Sequence, residues 1–230
     1  MGNEALEATI STTRGVLFDF DGPICDVFAG LPASEVARDL VAILRGFEPT
    51  LAASASEIDD PMEILRLASK GSEATLRAVE DALTSAEGSA VKVAGNPIPG
   101  AVAALRAAQS SGHSIAVVSN NSAGPIWAFL HRHGLTPMVR EVVGRAPYRP
   151  DLMKPDPYSL ALAASRLDLA PTQCTLIGDS VTDIEAARAT GAKSIGYANK
   201  SGKARSLTEA GADAIVSDMS AVADAFCAAP

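Results

Sequence analysis

Two carboxylates stand where an apolar run stops. Val16, Leu17 and Phe18 favour a short buried strand, and the chain then reads Asp19-Phe20-Asp21-Gly22. Three other segments end in polar groups of a complementary kind. "AVVSNN" finishes on Ser119, Asn120 and Asn121; "LMKPDP" sets Lys154 just before a helix; "TLIGDSVTD" finishes its strand on Asp179, with Asp183 four residues later. Neighbouring carboxylates repel, so one must hold a proton or a cation must neutralise them. Adding Asp179 to Asp19 and Asp21 makes a divalent cation the better answer. Oxygen ligands without a nearby His or Cys favour magnesium over zinc. Magnesium uses one or two carboxylates and keeps room for water and a phosphate oxygen. Ser119, backbone amides and the Lys154 ammonium are suited to the phosphate itself. A lone Asp-x-Asp-Gly is a common turn; the specific signal is the four features together, in this order, at strand ends.

The elements that must position these groups are legible from residue 99 onward. "PGAVAALRAAQSSG", "AGPIWAFLHRHG", "DPYSLALAASRLDL", "DIEAARATG", "KARSLTEAG" and "MSAVADAFCAA" read as helices. Between them "SIAVVSN", "VREVVG", "CTLIGD", "KSIGYA" and "DAIVSD" read as strands. The alternation predicts crossover connections and a parallel sheet with helices on both faces. Sites in such sheets form beyond the carboxyl ends of the strands. Asp156 and Pro157 predict a helix entry.

Residues 25–94 carry helical patterns with no strand between them. Val36, Leu40, Ile43, Leu44 and Phe47 form one stripe. Asp60, Pro61 and Glu63 predict the start of a second helix. Leu76, Val79 and Leu83 mark a third. This is an all-helical unit inserted after the first strand, with "GNPIPG" as the return hinge. The expected division is therefore 1–24 with 95–230 as the α/β unit, and 25–94 as the insert.

Composition excludes several function classes. The chain has 230 residues, 47% hydrophobic and 20% charged, with a net charge of -8. That content supports a core and argues against wholesale disorder. The acidic balance argues against nucleic acid or an anionic membrane as a partner. Cys25, Cys174 and Cys227 are odd in number and widely spaced, which fits reduced thiols and a cytoplasmic setting better than a disulfide framework. The N-terminal stretch lacks the apolar core of a signal peptide. No run of about 18 uninterrupted apolar residues is present, so no membrane-spanning helix is expected.

The four features resemble the motifs of the haloacid dehalogenase-like (HAD) hydrolase superfamily. Asp19-Phe20-Asp21-Gly22 is similar to the first motif, Ser119 to the second, Lys154 to the third, and "GDSVTD" with Asp179 and Asp183 to the fourth. The resemblance covers nearly the whole chain. It implies a Rossmann-like parallel sheet and places the helical insert as a mobile cap between the first and second motifs. It implies that Asp19 attacks the phosphorus of a phosphomonoester and that Asp21 serves the leaving alcohol and then water as acid and base. It implies Mg2+ held by Asp19, the Asp21 carbonyl and Asp179, with Asp183 holding its neighbours. Ser119, the Asn120 amide and Lys154 would hold the phosphoryl group. The expected substrate is a small phosphorylated metabolite. Pro23 departs from the Thr or Val that the family often carries there.

Two alternatives stay open. A sugar-phosphate mutase uses the same acids, and a non-catalytic binding module would keep the fold but usually lose an acid or the lysine. Asp21 argues against a dehalogenase, since halide leaves without a proton. Arg38, Arg45 and Arg66 are candidate cap contacts, against the plainer reading as solvated helix-face charges. "NKSGKA" reads as a strand-to-helix loop rather than a phosphate-binding loop, His131 and His133 as a helix end, and Trp127 as core. Oligomeric state is not encoded in any of these features.

Overall fold

Six short apolar runs become strands: β1 (Gly15–Phe18), β2 (Ser114–Val118), β3 (Glu141–Val143), β4 (Cys174–Gly178), β5 (Lys193–Tyr197) and β6 (Ala214–Val216). They form one parallel sheet in the order β3-β2-β1-β4-β5-β6 in the computed structural model, which describes residues 2–228. β1 is buried along its whole length. Phe18 pairs with Val117 on one side and Ile177 on the other. That register brings Asp19, Ser119 and Asp179 out of three adjacent strands at one edge, at the point where the strand order reverses.

Side chains alternate across the pleat and so define two cores. Val16 and Phe18 face a cluster that includes Leu105, Ile126, Phe129 and Phe226. These come from α6 (Ala101–Ser110), α7 (Ala123–Arg132) and α11 (Met219–Ala228). Leu17 faces the opposite way, toward Leu160 of α8 (Tyr158–Arg166) and Ala186 of α9 (Val181–Thr190). α10 (Lys203–Ala210) connects β5 to β6. Asp156 accepts a hydrogen bond from the Tyr158 N–H at 2.9 Å, and the helix itself begins at Tyr158, just past the expected Asp156-Pro157 entry.

The N-terminal stretch, to which the sequence assigned no element, is helix α1 (Gly2–Ile10). Its Leu6 and Ile10 are buried and belong to the first core. Two large apolar residues one turn apart, among acids and alanines, give too short a stripe to stand out by periodicity.

Between β1 and α6 lie α2 (Ala33–Phe47), α3 (Pro49–Ser54), α4 (Pro61–Ala68) and α5 (Glu73–Val93). They share a third core built on Leu40, Leu44, Ile64, Leu65, Val79 and Leu83, into which Met153 also inserts. Asp60 caps α4 through the Met62 N–H at 2.8 Å, and Ser72 caps α5 through the Thr75 N–H at 3.2 Å. Phe47, expected on the buried stripe, is 49% exposed at the helix end. α5 runs well past the predicted Leu83, because Glu80 and Glu87 interrupt its apolar pattern yet are both buried. No helix among the described residues is long and apolar enough to cross a membrane.

Candidate active site

The chain extends β1 by one ladder bond, Asp19 N–H to the Ile177 carbonyl at 2.8 Å, and then turns. Phe20 is buried and meets Phe129 edge-on at 5.4 Å between ring centres. The apolar residue between the two acids thus anchors the turn while the carboxylates remain at the sheet edge. Gly22 and Cys25 close the turn through Gly22 N–H to the Cys25 carbonyl at 2.7 Å. Gly22 has φ +113°, and a Cβ there would stand 2.5 Å from the Asp179 carboxyl carbon. Glycine is required both by the backbone conformation and by that close approach. The turn's donors are Gly22, Ile24 and Cys25, so the missing N–H of Pro23 leaves no gap.

Lys154 is buried at the centre of the cluster. Its ammonium donates to Asp19 Oδ1 at 2.8 Å, Asp183 Oδ1 at 2.6 Å and the Val118 carbonyl at 3.3 Å. Burial alone would depress this ammonium; Asp183 and Asp19 more than offset it and hold it charged. Asp19 Oδ1 also accepts the Phe20 N–H at 2.8 Å, while Oδ2 has no hydrogen-bond partner among the described residues. Burial and the Asp183 charge push the Asp19 carboxyl well above the usual carboxylate range, against the pull of Lys154. Asp183 is fully committed: its Oδ2 accepts the Ser180 N–H at 3.0 Å and the Ser180 hydroxyl at 2.6 Å. It lies under Gly178, where a Cβ would fall 2.4 Å from its carboxyl carbon.

Asp21 accepts the Val27 N–H at 3.0 Å through Oδ1, and desolvation lifts its pKa from the usual 3.8 to about 6. Ser119 is buried, with its N–H on the Val143 carbonyl at 3.0 Å. Asn120 and Lys154 hold each other reciprocally, Lys154 N–H to Asn120 Oδ1 at 2.8 Å and Asn120 Nδ2 to the Lys154 carbonyl at 3.3 Å. Every residue expected at the site is therefore at one edge of the sheet. Asp19, Asp21, Ser119, Asn120, Lys154 and Asp179 line a cleft of about 490 Å³, with Asp183 beneath it.

Ligand oxygens of Asp19, Asp179 and Asp183 lie within 4.8 Å of one another. Three carboxylates with no His or Cys among them fit a hard divalent cation. Asp179 carries partners that the sequence did not assign to it. Its Oδ2 accepts Asn199 Nδ2 at 3.0 Å and the Lys203 ammonium. Both belong to the "NKSGKA" stretch, which does link β5 to α10 as expected but also returns two polar side chains to the site.

The helical side of the cleft comes from the start of α4 and the chain before it. Asp59, Asp60, Pro61, Met62, Glu63 and Arg66 line it. Of the three arginines weighed as candidate contacts against the favoured reading as solvated charges, only Arg66 lines the cleft. Arg38 and Arg45 line a separate recess with Val41 and Ile58. The Arg66 guanidinium is already engaged, donating to the Lys154 carbonyl at 2.7 Å and the Pro150 carbonyl at 3.3 Å, with Glu63 at 3.3 Å. Trp127 is partly buried against the first core, and His131 and His133 lie at the α7 C-terminus and line no part of the cleft.

Comparison with known proteins agrees with this fold. The chain is 29% identical over 224 residues to a phosphoglycolate phosphatase of Salmonella paratyphi A, spanning 87% of this chain and 88% of that one. Among solved structures, β-phosphoglucomutase from Clostridium difficile superposes with a TM-score of 0.68 at 20% identity, over 94% of this chain and 97% of that one. A HAD family hydrolase from Deinococcus radiodurans with bound phosphate and sodium superposes with a TM-score of 0.60 at 24% identity, over 94% and 97%. At those identities the structures speak for the fold alone. The sequence model for haloacid dehalogenase-like hydrolases matches residues 13–191, which is most of the chain and includes all four motifs, so the chain belongs to the haloacid dehalogenase-like hydrolases.

Proposed function

We propose that this enzyme hydrolyses a small phosphomonoester by transferring the phosphoryl group to Asp19 and then to water. The observation that carries the reading is the asymmetry of Asp19. Its Oδ1 is pinned by Lys154 and the Phe20 N–H, and its Oδ2 is left at the cleft as the attacking atom. A bond forms between Oδ2 and phosphorus as the bond from phosphorus to the leaving oxygen breaks. Asp21, raised to about 6, gives its proton to the departing alcohol. It then takes a proton from the water that attacks phosphorus in the acyl phosphate, which frees Asp19 and inorganic phosphate. The Ser119 hydroxyl, once its proton turns from Asn121 Oδ1 to the substrate, the Asn120 amide and Lys154 hold the phosphoryl oxygens, where charge develops. Bound Mg2+ would supply positive charge to those oxygens and offset the carboxylate cluster. Asp19 Oδ1, freed as the Lys154 ammonium turns to the phosphoryl group, the Asp21 carbonyl and Asp179 would hold it, and Asp183 would keep Lys154 in place.

The helical insert at 25–94 serves as the cap and sets the leaving group. Its face of the cleft offers Asp59, Asp60 and Glu63 against Arg66 alone, and Arg66 is engaged with backbone carbonyls. A carboxylate on the leaving alcohol, as in 2-phosphoglycolate, meets net negative charge there. A neutral polyol is not repelled by that charge, and an ammonium-bearing alcohol is attracted by it. The same lining disfavours a mutase, whose bisphosphate intermediate needs cationic partners for a second phosphate.

The test is phosphate release from p-nitrophenyl phosphate and from a panel of metabolites. Activity should vanish in chelator and return with magnesium. Calcium accepts more oxygens and readily takes a carboxylate through both. It should capture both oxygens of Asp19, compete with magnesium and support no turnover. Full activity in excess chelator or with calcium alone would sink the metal-assisted mechanism.

A further inference from the structure

A second buried ion cluster lies behind the phosphate loop. From it we infer that Arg145 is a positioning residue for Ser119 and Asn120, holding the loop in register with helix α5. The inference rests on the phosphatase reading of the site.

Arg145 follows β3 after Gly144, and its side chain is 0% exposed. Gly144 allows the approach: a Cβ there would fall 2.4 Å from the Ala123 nitrogen and 2.7 Å from the Asn121 oxygen. Arg145 then holds the loop at three successive residues. Its N–H donates to the Asn121 carbonyl at 2.8 Å, Nη1 to the Asn120 carbonyl at 2.7 Å and Nη2 to the Ser122 hydroxyl at 2.9 Å. The guanidinium is fixed in turn by α5, through Glu80 Oε1 at 2.6 Å and Glu87 Oε1 at 2.7 Å. Glu87 also reaches the loop directly, accepting the Ser122 N–H at 3.0 Å and Asn121 Nδ2 at 3.3 Å.

The last link is to the phosphate-binding hydroxyl. Asn121 brackets Ser119 Oγ: its N–H donates to that oxygen at 3.1 Å, and its Oδ1 accepts the hydroxyl proton at 3.1 Å. A continuous chain of hydrogen bonds therefore runs from Glu87 through Asn121 to Ser119. A parallel one runs from Glu80 through Arg145 to the Asn120 peptide.

Stability alone does not account for the cluster. Burying an arginine with two carboxylates carries a desolvation cost that well-packed apolar residues avoid. Glu80 Oε2 is buried with no partner, which adds to that cost. What the cluster supplies is direction. Arginine's planar fork holds two carboxylates, the Asn120 carbonyl and the Ser122 hydroxyl at once, which neither lysine nor an apolar side chain can do.

The test compares wild type with two variants. Arg145→Met/Glu80→Met/Glu87→Met removes all three charges together and keeps the volume apolar, but the Ser122 N–H and the Asn120 carbonyl lose these partners, so it should fold with a melting temperature between those of Arg145→Met and wild type. Its kcat on p-nitrophenyl phosphate should fall roughly 10²-fold, the scale expected when donors are misplaced by about an ångström. Its Kd for inorganic phosphate, by calorimetry, should weaken in parallel. Arg145→Ala leaves a guanidinium-sized gap, and millimolar guanidinium should restore turnover while urea at equal concentration does not. A folded triple variant with wild-type kcat and phosphate affinity would overturn the inference, as would Arg145→Ala restored equally by urea. If the wild type itself turns over no phosphomonoester, the phosphatase reading fails, and the phosphate Kd of the triple variant still decides the role of Arg145.

Discussion

Two buried cations, each shared by two carboxylates, stand on either side of the phosphate loop. Lys154 bridges Asp19 and Asp183, and Arg145 bridges Glu80 and Glu87. The count of charges is the same and the outcome differs. The lysine cluster opens to the cleft through Asp19 Oδ2, so one carboxylate oxygen is available for chemistry. The arginine cluster is closed by the Asn120 carbonyl, the Ser122 hydroxyl and a helix, so its charge serves geometry. A compact ammonium suits the first task, because it can serve the nucleophile and a bound phosphate as a point charge. A rigid fork suits the second.

The sharpest way to break the comparison is to disarm the open cluster. Asp19→Asn should abolish turnover and leave no phosphorylated enzyme detectable by mass spectrometry, with the fold intact. An amide can still accept the Phe20 N–H but is no nucleophile. Persistent phosphoenzyme in this variant would move the nucleophile elsewhere. Asp21→Asn comes next: loss of general acid catalysis should cost roughly 10²- to 10⁴-fold on alkyl phosphates and less on aryl phosphates. Equal losses on both substrate types would argue against a proton donor at Asp21.

The pH dependence has a definite sign. Asp21 has a folded pKa of about 6 against the usual 3.8, so its acid form is lost as pH rises through about 6. Wild-type turnover of alkyl phosphates should decline on that side, more steeply than turnover of aryl phosphates. The raised carboxyl also means that the folded state binds more protons than the unfolded one between those values, so this group's effect on stability worsens as pH rises. Asp21→Asn should therefore unfold at higher denaturant than wild type at pH 8, by a stabilisation of up to about 3 kcal/mol, and the gain should shrink toward pH 4. A gain that does not depend on pH would place its origin elsewhere.

The open cluster was legible in the sequence and the closed one was not. Asp19, Ser119 and Asp179 each follow an apolar run that can only be a buried strand, so their common edge follows from topology. Lys154 sits in a loop but keeps its order among them. Glu80 and Glu87 had no such frame. They fall on the same helical stripe as Leu76 and Leu83, where a carboxylate reads only as a break in the apolar pattern, and it takes the packing of α5 against the loop after β2 to show what they hold. Arg145 follows a three-residue strand, and nothing local marks it as buried. Lys203 and Asn199 fall between, since their stretch was noticed but its return to Asp179 depends on how β5 hands over to α10. Within the helical insert, periodicity identified the core, while Arg38 and Arg45 show that a charge on a helix does not reveal which recess it faces. Local pattern specifies elements and strand ends; contacts made across elements by polar side chains need the packed structure.

Breaking the closed cluster with one substitution gives an effect of a different kind. Arg145→Met alone strands Glu80 and Glu87 in an apolar setting, and losing one partner of a buried ion pair costs about 3–5 kcal/mol. Urea unfolding should show that loss in the single variant and its partial recovery when both glutamates are also made Met, since the loop groups that the cluster held stay unpaired. A single variant as stable as wild type would mean that the glutamates are protonated or hydrated in solution.

The smallest effect is expected where the two sides of the cleft face each other. Asp59 and Glu63 are exposed at the cap wall, so their fields are screened by solvent and salt. Exposed charges act at the scale of about 0.2–1 kcal/mol, which is roughly 1.5- to 5-fold in a rate constant. Asp59→Asn and Glu63→Gln should each raise kcat/KM for 2-phosphoglycolate by about that factor, leave p-nitrophenyl phosphate unchanged and lower kcat/KM for phosphoethanolamine. The two should nearly add, since screened charges that share no partner act independently. Glu63→Gln carries a further distinction, because it releases one partner of Arg66 and leaves the guanidinium on the Pro150 and Lys154 carbonyls alone. If its gain on 2-phosphoglycolate exceeds that of Asp59→Asn and disappears in Arg66→Gln, the arginine has turned toward the substrate. If neither variant changes the ratio of the two substrates at low ionic strength, cap charge does not set the leaving group, and shape must.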